Sequence, residues 1–414
     1  MSATLDQTIR PANVAVLLKL EAAEGIDAGP SAAVDAIPIE ADSVSYNSPW
    51  TSEASAEATG SLVASAPLII GQAATLSFKS RIKGAGAGAA YTASVKPPLH
   101  QALQACGWRG QFTAAIAAAA ASAGTGTTAT LANGFPATAD ALLGMLLQIT
   151  AGTGAGSFPA VIDYSAARVA LLGDSFATPL DATSIIGLPA NWTYASTSPS
   201  DAASRATDQP SATIYVYEDG VLWKYVGCRG TVTLEGQNAR PGYATFNMTG
   251  IFAGRADTAI PAGLVVAGHS APVLAQGSSL SLAAALNRKS CTLSTWSLDP
   301  GSQIEVPDNP NTPFGFDSGQ VVDRAPVLKV DPLATLVANR DTIADIGNGV
   351  QMSAVLRHGS VAGNRWSLTA PLVQKTTMDP GTRGKLRSEQ IGLQCISSGK
   401  DAFGRDSDRI LAFS

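Results

Sequence analysis

The stretch Thr213-Ile214-Tyr215-Val216-Tyr217-Glu218-Asp219-Gly220-Val221-Leu222-Trp223-Lys224-Tyr225-Val226 decides the fold class. β-branched and aromatic residues fill both arms, and Asp219-Gly220 between them is the signal of a tight hairpin. Working outward, Gly230-Thr231-Val232-Thr233-Leu234-Glu235 and Tyr243-Ala244-Thr245-Phe246-Asn247-Met248 keep the same grammar, so four adjacent antiparallel strands are expected over 213–248. Upstream, Val14-Ala15-Val16-Leu17-Leu18-Lys19-Leu20-Glu21 reads as a strand that breaks at Gly25. Residues 36–46 alternate Ile37, Ile39, Ala41, Val44 and Tyr46 imperfectly, and the two segments suggest a further hairpin.

The intervening stretches read as loops, short strands and two helices. Residues 47–60 form a long polar loop, and a loop of that length in a compact fold is usually functional or disordered. Leu68-Ile69-Ile70 and 74–83 supply strands, ending in Gly84-Ala85-Gly86-Ala87-Gly88. Residues 97–107 are predicted helical: Pro97 and Pro98 open the segment, Leu99, Ala102, Leu103 and Cys106 share a face, and Gly107 stops it. The alanine-rich run 112–123 reads as a small-residue helix or a loop. From 127 to 196 the composition changes, only Asp140 and Asp163 being charged between 111 and 167, and short strands alternate with Gly-rich turns, as in a small self-contained β module. Beyond a polar linker, 291–306 suggests a strand pair around Asp299-Pro300-Gly301 and 307–319 a second long loop. A strand at 324–330, a helix at 333–346 and strands at 350–357, 364–372 and 391–397 follow. Ser65-Ala66-Pro67-Leu68 matches Arg324-Ala325-Pro326-Val327 in place and kind, so the order strand pair, loop, Ala-Pro strand, helix, hairpin, strand occurs twice and reads as a duplication.

Composition narrows the function. The 414 residues suffice for two or three domains. Only 14% are charged, and 27 bases against 32 acids leave a net charge of −5, which argues against a protein whose work is gripping phosphates. Cys106, Cys228, Cys291 and Cys395 are too scattered for a zinc site or a disulfide framework and read as reduced, partly buried thiols. Residues 1–20 have neither the basic start nor the apolar core of a secretory leader. Val169-Ala170-Leu171-Leu172-Gly173-Asp174-Ser175 resembles the opening of serine esterases, yet His100, His269 and His358 have no Asp three residues before them, and a strand-end turn is the plainer reading. The 84–89 run approximates a dinucleotide fingerprint without the alternating strands and helices it requires. The acids at 21–57, with no Lys or Arg among them, never take a calcium-loop spacing and read as negative surface. No catalytic residue, cofactor or metal site is expected, and a non-enzymatic, structural role gains weight.

One resemblance organises these observations. Residues 217–232, with Asp219-Gly220-Val221-Leu222-Trp223-Lys224 and Gly227-Cys228-Arg229-Gly230-Thr231, resemble the "DGVLHKxxGxRGT" segment of long-tailed (siphovirus-type) bacteriophage tail tube, or major tail, proteins, with Trp223 where His is more usual. Val14 to Gly25 is similar to that family's opening strand, and Leu103-Gln104-Ala105-Cys106-Gly107 to its "LLRACG" helix. Residues 130–194 resemble a β module inserted in many phage structural proteins, and Ser360-Val361-Ala362-Gly363-Asn364 carries the likeness in the C-terminal part.

The resemblance implies a mainly β fold: tandem tail-tube β-sandwich or barrel domains, each with a flanking helix, plus the inserted module. The first domain would comprise 1–126 and 197–262 around the module at 127–196, with a linker at 263–286 and a second tube-like domain at 287–414. It implies self-association into rings stacked as a tube in the virion tail, made in the host bacterial cytoplasm. Partners would be tape measure protein and genomic DNA in the lumen, and tail terminator and distal tail proteins at the ends. Two tube domains per chain imply a trimer with pseudo-sixfold symmetry; one alone would imply a hexamer. A negative or neutral bore would let DNA pass unheld, with Glu235 a lumen candidate by strand alternation. Tyr46, Trp50, Phe314 and Phe316 are candidate inter-ring anchors, ordinary core packing being the alternative for each. A surface or secreted carbohydrate-binding β-sandwich, with Trp50, Trp192 and Trp223 stacking sugars, is the rival reading.

Overall fold

The computed structural model describes residues 8–58, 60–63, 65–264, 273–275 and 282–414, and the fold is mainly β with several antiparallel sheets. Much of the expected linker at 263–286 lies outside the described residues. The chain opens with β1 (Val14–Leu20), β2 (Ala36–Ile37), β3 (Ser45–Tyr46), β4 (Trp50–Glu53), β5 (Leu68–Gly71), β6 (Ala74–Arg81) and α1 (His100–Ala105). β1 and β2 pair only at Val16 with Ile37 and Leu17 with Ala36, whereas β3 pairs β6, so the expected hairpin shrinks to a short contact. The polar loop 47–60 contains a strand, since β4 pairs β5. Prolines bring the chain into α1, and Gly107 leaves it at φ +75°, a conformation that favours glycine.

Next come β7 (Trp108–Thr113), β8 (Ile116–Ala120), β9 (Ala123–Gly124), β10 (Thr128–Thr130), β11 (Gln148–Ala151), β12 (Val161–Tyr164), β13 (Val169–Leu172), β14 (Ile185–Leu188) and β15 (Asn191–Ser196). The alanine run is a strand: β8 pairs β14, and the small side chains let Gly187 lie against Ala118. Pairing overrides alanine's helical preference there. β8 to β14 form two small sheets around their own core of Leu142, Met145, Leu147, Ile149 and neighbours, while β7 and β15 pair with each other in the large sheet.

After α2 (Arg205–Asp208), β16 (Ala212–Glu218), β17 (Val221–Gln237) and β18 (Tyr243–Asp257) form the diagnostic hairpin and its continuation. Three strands stand where four were expected, because Val221 to Gln237 runs unbroken through a bulge between Val226 and Arg229. The turn residues Asp219 (φ +43°) and Gly220 (φ +105°) both take positive φ, as tight hairpins demand. Asp219 also accepts from Arg10 Nε at 3.0 Å and Asn13 Nδ2 at 2.7 Å. β16 is buried on both faces, Ile214 and Val216 toward the main core and Tyr215 and Tyr217 toward a smaller one.

The remainder is β19 (Ala284–Leu286), β20 (Lys289–Ser290), β21 (Thr295–Asp299), β22 (Gln303–Glu305), β23 (Gln320–Asp323), β24 (Val327–Val330), α3 (Thr342–Gly347), β25 (Gln351–His358), β26 (Trp366–Arg383), β27 (Leu386–Cys395) and β28 (Ile410–Phe413). β21 and β22 do not form the expected pair; β21 joins β17 and β24, and β22 joins β23. The second helix is shorter than expected, starting only where Asp341 accepts the Ala344 N–H at 2.9 Å.

The order of pairing recurs along the chain. β2–β1–β16–β17–β18–β6–β3, with the β4–β5 hairpin between β3 and β6, has its counterpart in β20–β19–β25–β26–β27–β24–β21, with the β22–β23 hairpin between β21 and β24. The Ala-Pro match does not survive this alignment: Pro67 precedes β5, whereas Pro326 precedes β24, the counterpart of β6. One continuous core, from Val16 and Phe78 to Leu393 and Phe413, serves both halves.

Candidate functional site: a polar face on a continuous sheet

Eight strands pair in the unbroken order β3–β6–β18–β17–β21–β24–β27–β26. The seam between the two halves is β17 against β21, where Leu234 faces Leu298, Glu235 faces Ser297, Gly236 faces Trp296 and Gln237 faces Thr295. A row of buried leucines, Leu234, Leu298, Leu328 and Leu393, crosses the seam, so the core-side surface does not register a boundary. Alternation then puts Thr75, Ser77, Lys79 and Arg81 of β6, Tyr243, Thr245 and Asn247 of β18, and Thr231, Thr233, Glu235 and Gln237 of β17 on the opposite face. Ser297, Asp299, Lys329, Gln390, Gln394 and Asp379 extend this face.

The face is polar and electrically balanced. Its strand cations, Lys79, Arg81, Lys329 and Arg383, stand against Glu235, Asp299 and Asp379 on the strands, with Glu40 and Asp331 pairing Arg81 and Arg383. Lys79 is tied to Glu235 and lies 4.6 Å from the Tyr243 ring centroid, and Arg81 Nε meets Glu40 Oε1 at 2.7 Å. Glu235 is therefore placed on this face, as alternation predicts, but as half of an ion pair. Hydroxyls and amides make up most of the rest, groups with no standing affinity for phosphate comparable to a free cation's. A hollow of about 460 Å³ lies over the seam, bordered by the cations Lys79, Arg240 and Lys329 together with Glu235, Tyr243 and Ser297.

Three of the four expected anchors come together within the chain itself. Tyr46 packs on Trp223 with centroids 4.7 Å apart, Trp223 on Phe252 at 5.9 Å, Phe252 on Phe314 at 5.8 Å and Phe314 on Trp50 at 4.9 Å. The Tyr46 hydroxyl also donates to Glu218, and burial beside that carboxylate pushes it up to about 12. Phe316 stands apart from this chain of rings, in a β-bridge with Asp308. The two long loops thus touch each other, leaving Trp50 47% exposed and Leu68 and Ile69 above 60% on the β4–β5 hairpin. Trp192 is buried beside His100, with centroids 4.9 Å apart, and Trp223 lies between Tyr46 and Arg255.

The motifs weighed for chemistry have structural work. Asp174 of the Gly-Asp-Ser turn is buried in a two-pronged ion pair with Arg357 of β25, one arm 3.0 Å long, which binds the small β unit to the large sheet. Gly84, Gly86 and Gly88 lie backbone to backbone on 361–364: Gly88 N donates to Ala362 O at 2.8 Å, and Tyr91 Oη donates to Gly363 O at 3.0 Å. The acidic tract supplies partners for the sheet. Glu24 meets Nη2 of fully buried Arg229 at 2.8 Å, and that guanidinium holds the Glu24 carboxyl below its ordinary range. Glu21 accepts from Gly227 N at 2.8 Å at the β17 bulge. Sequence reading missed these roles; the signal for Arg229 was its place in Gly227-Cys228-Arg229-Gly230, a cation among small buried residues of the strand. Among the described residues, no three His, Cys, Asp or Glu side chains gather as a metal site requires, and no helix is long and apolar enough to cross a membrane. Compared with known proteins, the chain matches no family model and no curated protein.

Proposed function

We propose that this chain is a structural subunit of a bacteriophage-type tail tube, in which its two halves are tandem tube domains and three copies close a pseudo-sixfold ring. The observation that carries the reading is the seam: one half joins the other edge to edge through β17 and β21, with core and polar faces continuous across it. A protein that joins its own repeats in this way has the geometry to join the next copy likewise, and closing the sheet on itself removes the exposed edges. The polar face lines the bore, where balanced charge lets DNA slide without being held. The small β unit around 116–188 projects outward, and the apolar tip of the β4–β5 hairpin serves ring-to-ring stacking. Tape measure protein and DNA occupy the bore, and terminator and distal tail proteins cap the tube.

Electron microscopy and native mass spectrometry of the purified chain test this. The expected results are hollow tubes and a smallest ring of three 42.1 kDa chains. A monodisperse monomer that binds glycans would overturn the reading in favour of the carbohydrate-binding alternative.

A further inference from the structure

Among the described residues, the repeated pairing scheme leaves one strand side unmatched at each end of the eight-strand sheet. β17 parts from β16 at Cys228 and runs on nine residues to Gln237, and in that extension its free side takes β21. Its counterpart β26 parts from β25 at Gln374 and likewise runs on nine residues to Arg383, but beyond Gln374 it has a strand partner only on the β27 side among the described residues. Both strands shift register near the start of the extension, between Val226 and Arg229 in β17 and between Lys375 and Thr377 in β26. At the other end of the sheet, β3 is the counterpart of β21. Residues 40–47 follow β6, with Glu40 N donating to Lys79 O at 2.8 Å and Asn47 N to Thr75 O at 3.1 Å, and their far side carries no strand among the described residues.

We propose that the 380–383 edge of β26 pairs antiparallel with the free side of segment 40–46 in a second copy of this chain, repeating between molecules the β17–β21 seam found within one. This assignment rests on the ring reading above and adds the two edges that meet. In the internal seam the end of β17 meets the start of β21, so the end of β26 meets the start of the 40–46 segment. Charge agrees with that orientation. The β26–β27 hairpin tip exposes Lys385 and Arg387, while segment 40–46 begins with Glu40 and exposed Asp42. Opposite charges placed this way steer the approach and set the register.

The test uses the full chain. Ala41→Cys combined with Lys385→Cys, oxidised after purification, is expected to give a covalent ladder ending at three chains on a non-reducing gel, while the unsubstituted chain and each single variant do not form it. Lys385→Glu with Arg387→Glu is expected to raise the concentration for half-assembly about tenfold or more, and adding Asp42→Lys to that chain to restore most of the loss. All these positions are exposed, so unchanged melting of the variants separates assembly from folding. An unsubstituted chain that never assembles overturns the tube reading and this assignment with it. Rings that form with no 41–385 ladder and no response to charge reversal overturn the edge assignment alone, whereas a 41–385 ladder continuing past three keeps the two edges together and overturns the three-chain ring.

Discussion

Gly363 sits at φ +82°, with the backbone of Gly86 and Ala89 where a Cβ would project. Gly363→Ala is expected to lose about 2 kcal/mol or more of stability in denaturant titration, through left-handed backbone strain and the forced separation of the two loops. A loss under half a kcal/mol would mean that the loops do not depend on close approach. His100 and His358 set a second expectation. Burial, with Lys96 adding to it, lowers His100 from 6.5 to about 3, and burial, here against Trp366 at 4.0 Å, does the same for His358. Both are neutral when folded but take protons when unfolded, so their contribution is intact above pH 6.5 and declines as pH falls toward 3. Each histidine is expected to add about 1.4 kcal/mol per pH unit to the slope between pH 6 and 5, above the range where most carboxylates titrate. Unfolding free energies at pH 7, 6 and 5 check this, and His358→Gln is expected to halve the slope.

At the scale of elements, long bent strands do the joining. β17 and β26 each spend one half in a hairpin and the other reaching along a sheet, and the β17 bulge that makes the bend is fastened by Glu21 on Gly227 and Glu24 on Arg229. The small β unit is fastened through Asp174 and Arg357. Arg357→Met leaves the Asp174 carboxylate buried without its cation, and a loss of about 3 kcal/mol is expected in denaturant titration. Asp174→Asn in the same chain is expected to recover part of it; no recovery would place the cost in packing. The elements legible in sequence were those whose pairing is local: β16, β17 and the Asp219-Gly220 turn between them. The alanine-rich β8 was not, because its strand conformation is imposed by β14, about 70 residues away, against alanine's own preference. β4 was hidden in a polar loop for the same reason, its partner β5 lying beyond another polar stretch.

For the whole molecule, the consequence expected of a balanced polar face, if it lines the proposed bore, is indifference to phosphate. Tubes of the unsubstituted chain are expected not to retain DNA at physiological salt, whereas Thr245→Lys, which sets a fresh cation on β18 toward the proposed bore, is expected to retain it with an affinity that falls steeply as salt rises. DNA held equally by both would remove the face from the bore. Much of the candidate face was readable in outline, since strand alternation placed Glu235 on it. Its neutralisation by Lys79 was not, because the two are 156 residues apart and meet only across β18.

The sequence by itself determined the local matters: the mainly β class, the tight hairpin, the glycine of its turn, and a sparse, slightly negative charge. These follow from backbone sterics, side-chain shape and net charge, which need no knowledge of the fold. Tertiary structure alone decided that the end of β17 pairs with β21 of the other half, that Trp50 and Phe314 lean together from separate loops, and that an acid from the N-terminal tract satisfies a buried arginine. Such contacts join residues far apart in the chain, and their formation depends on which edges and cavities the rest of the molecule leaves open.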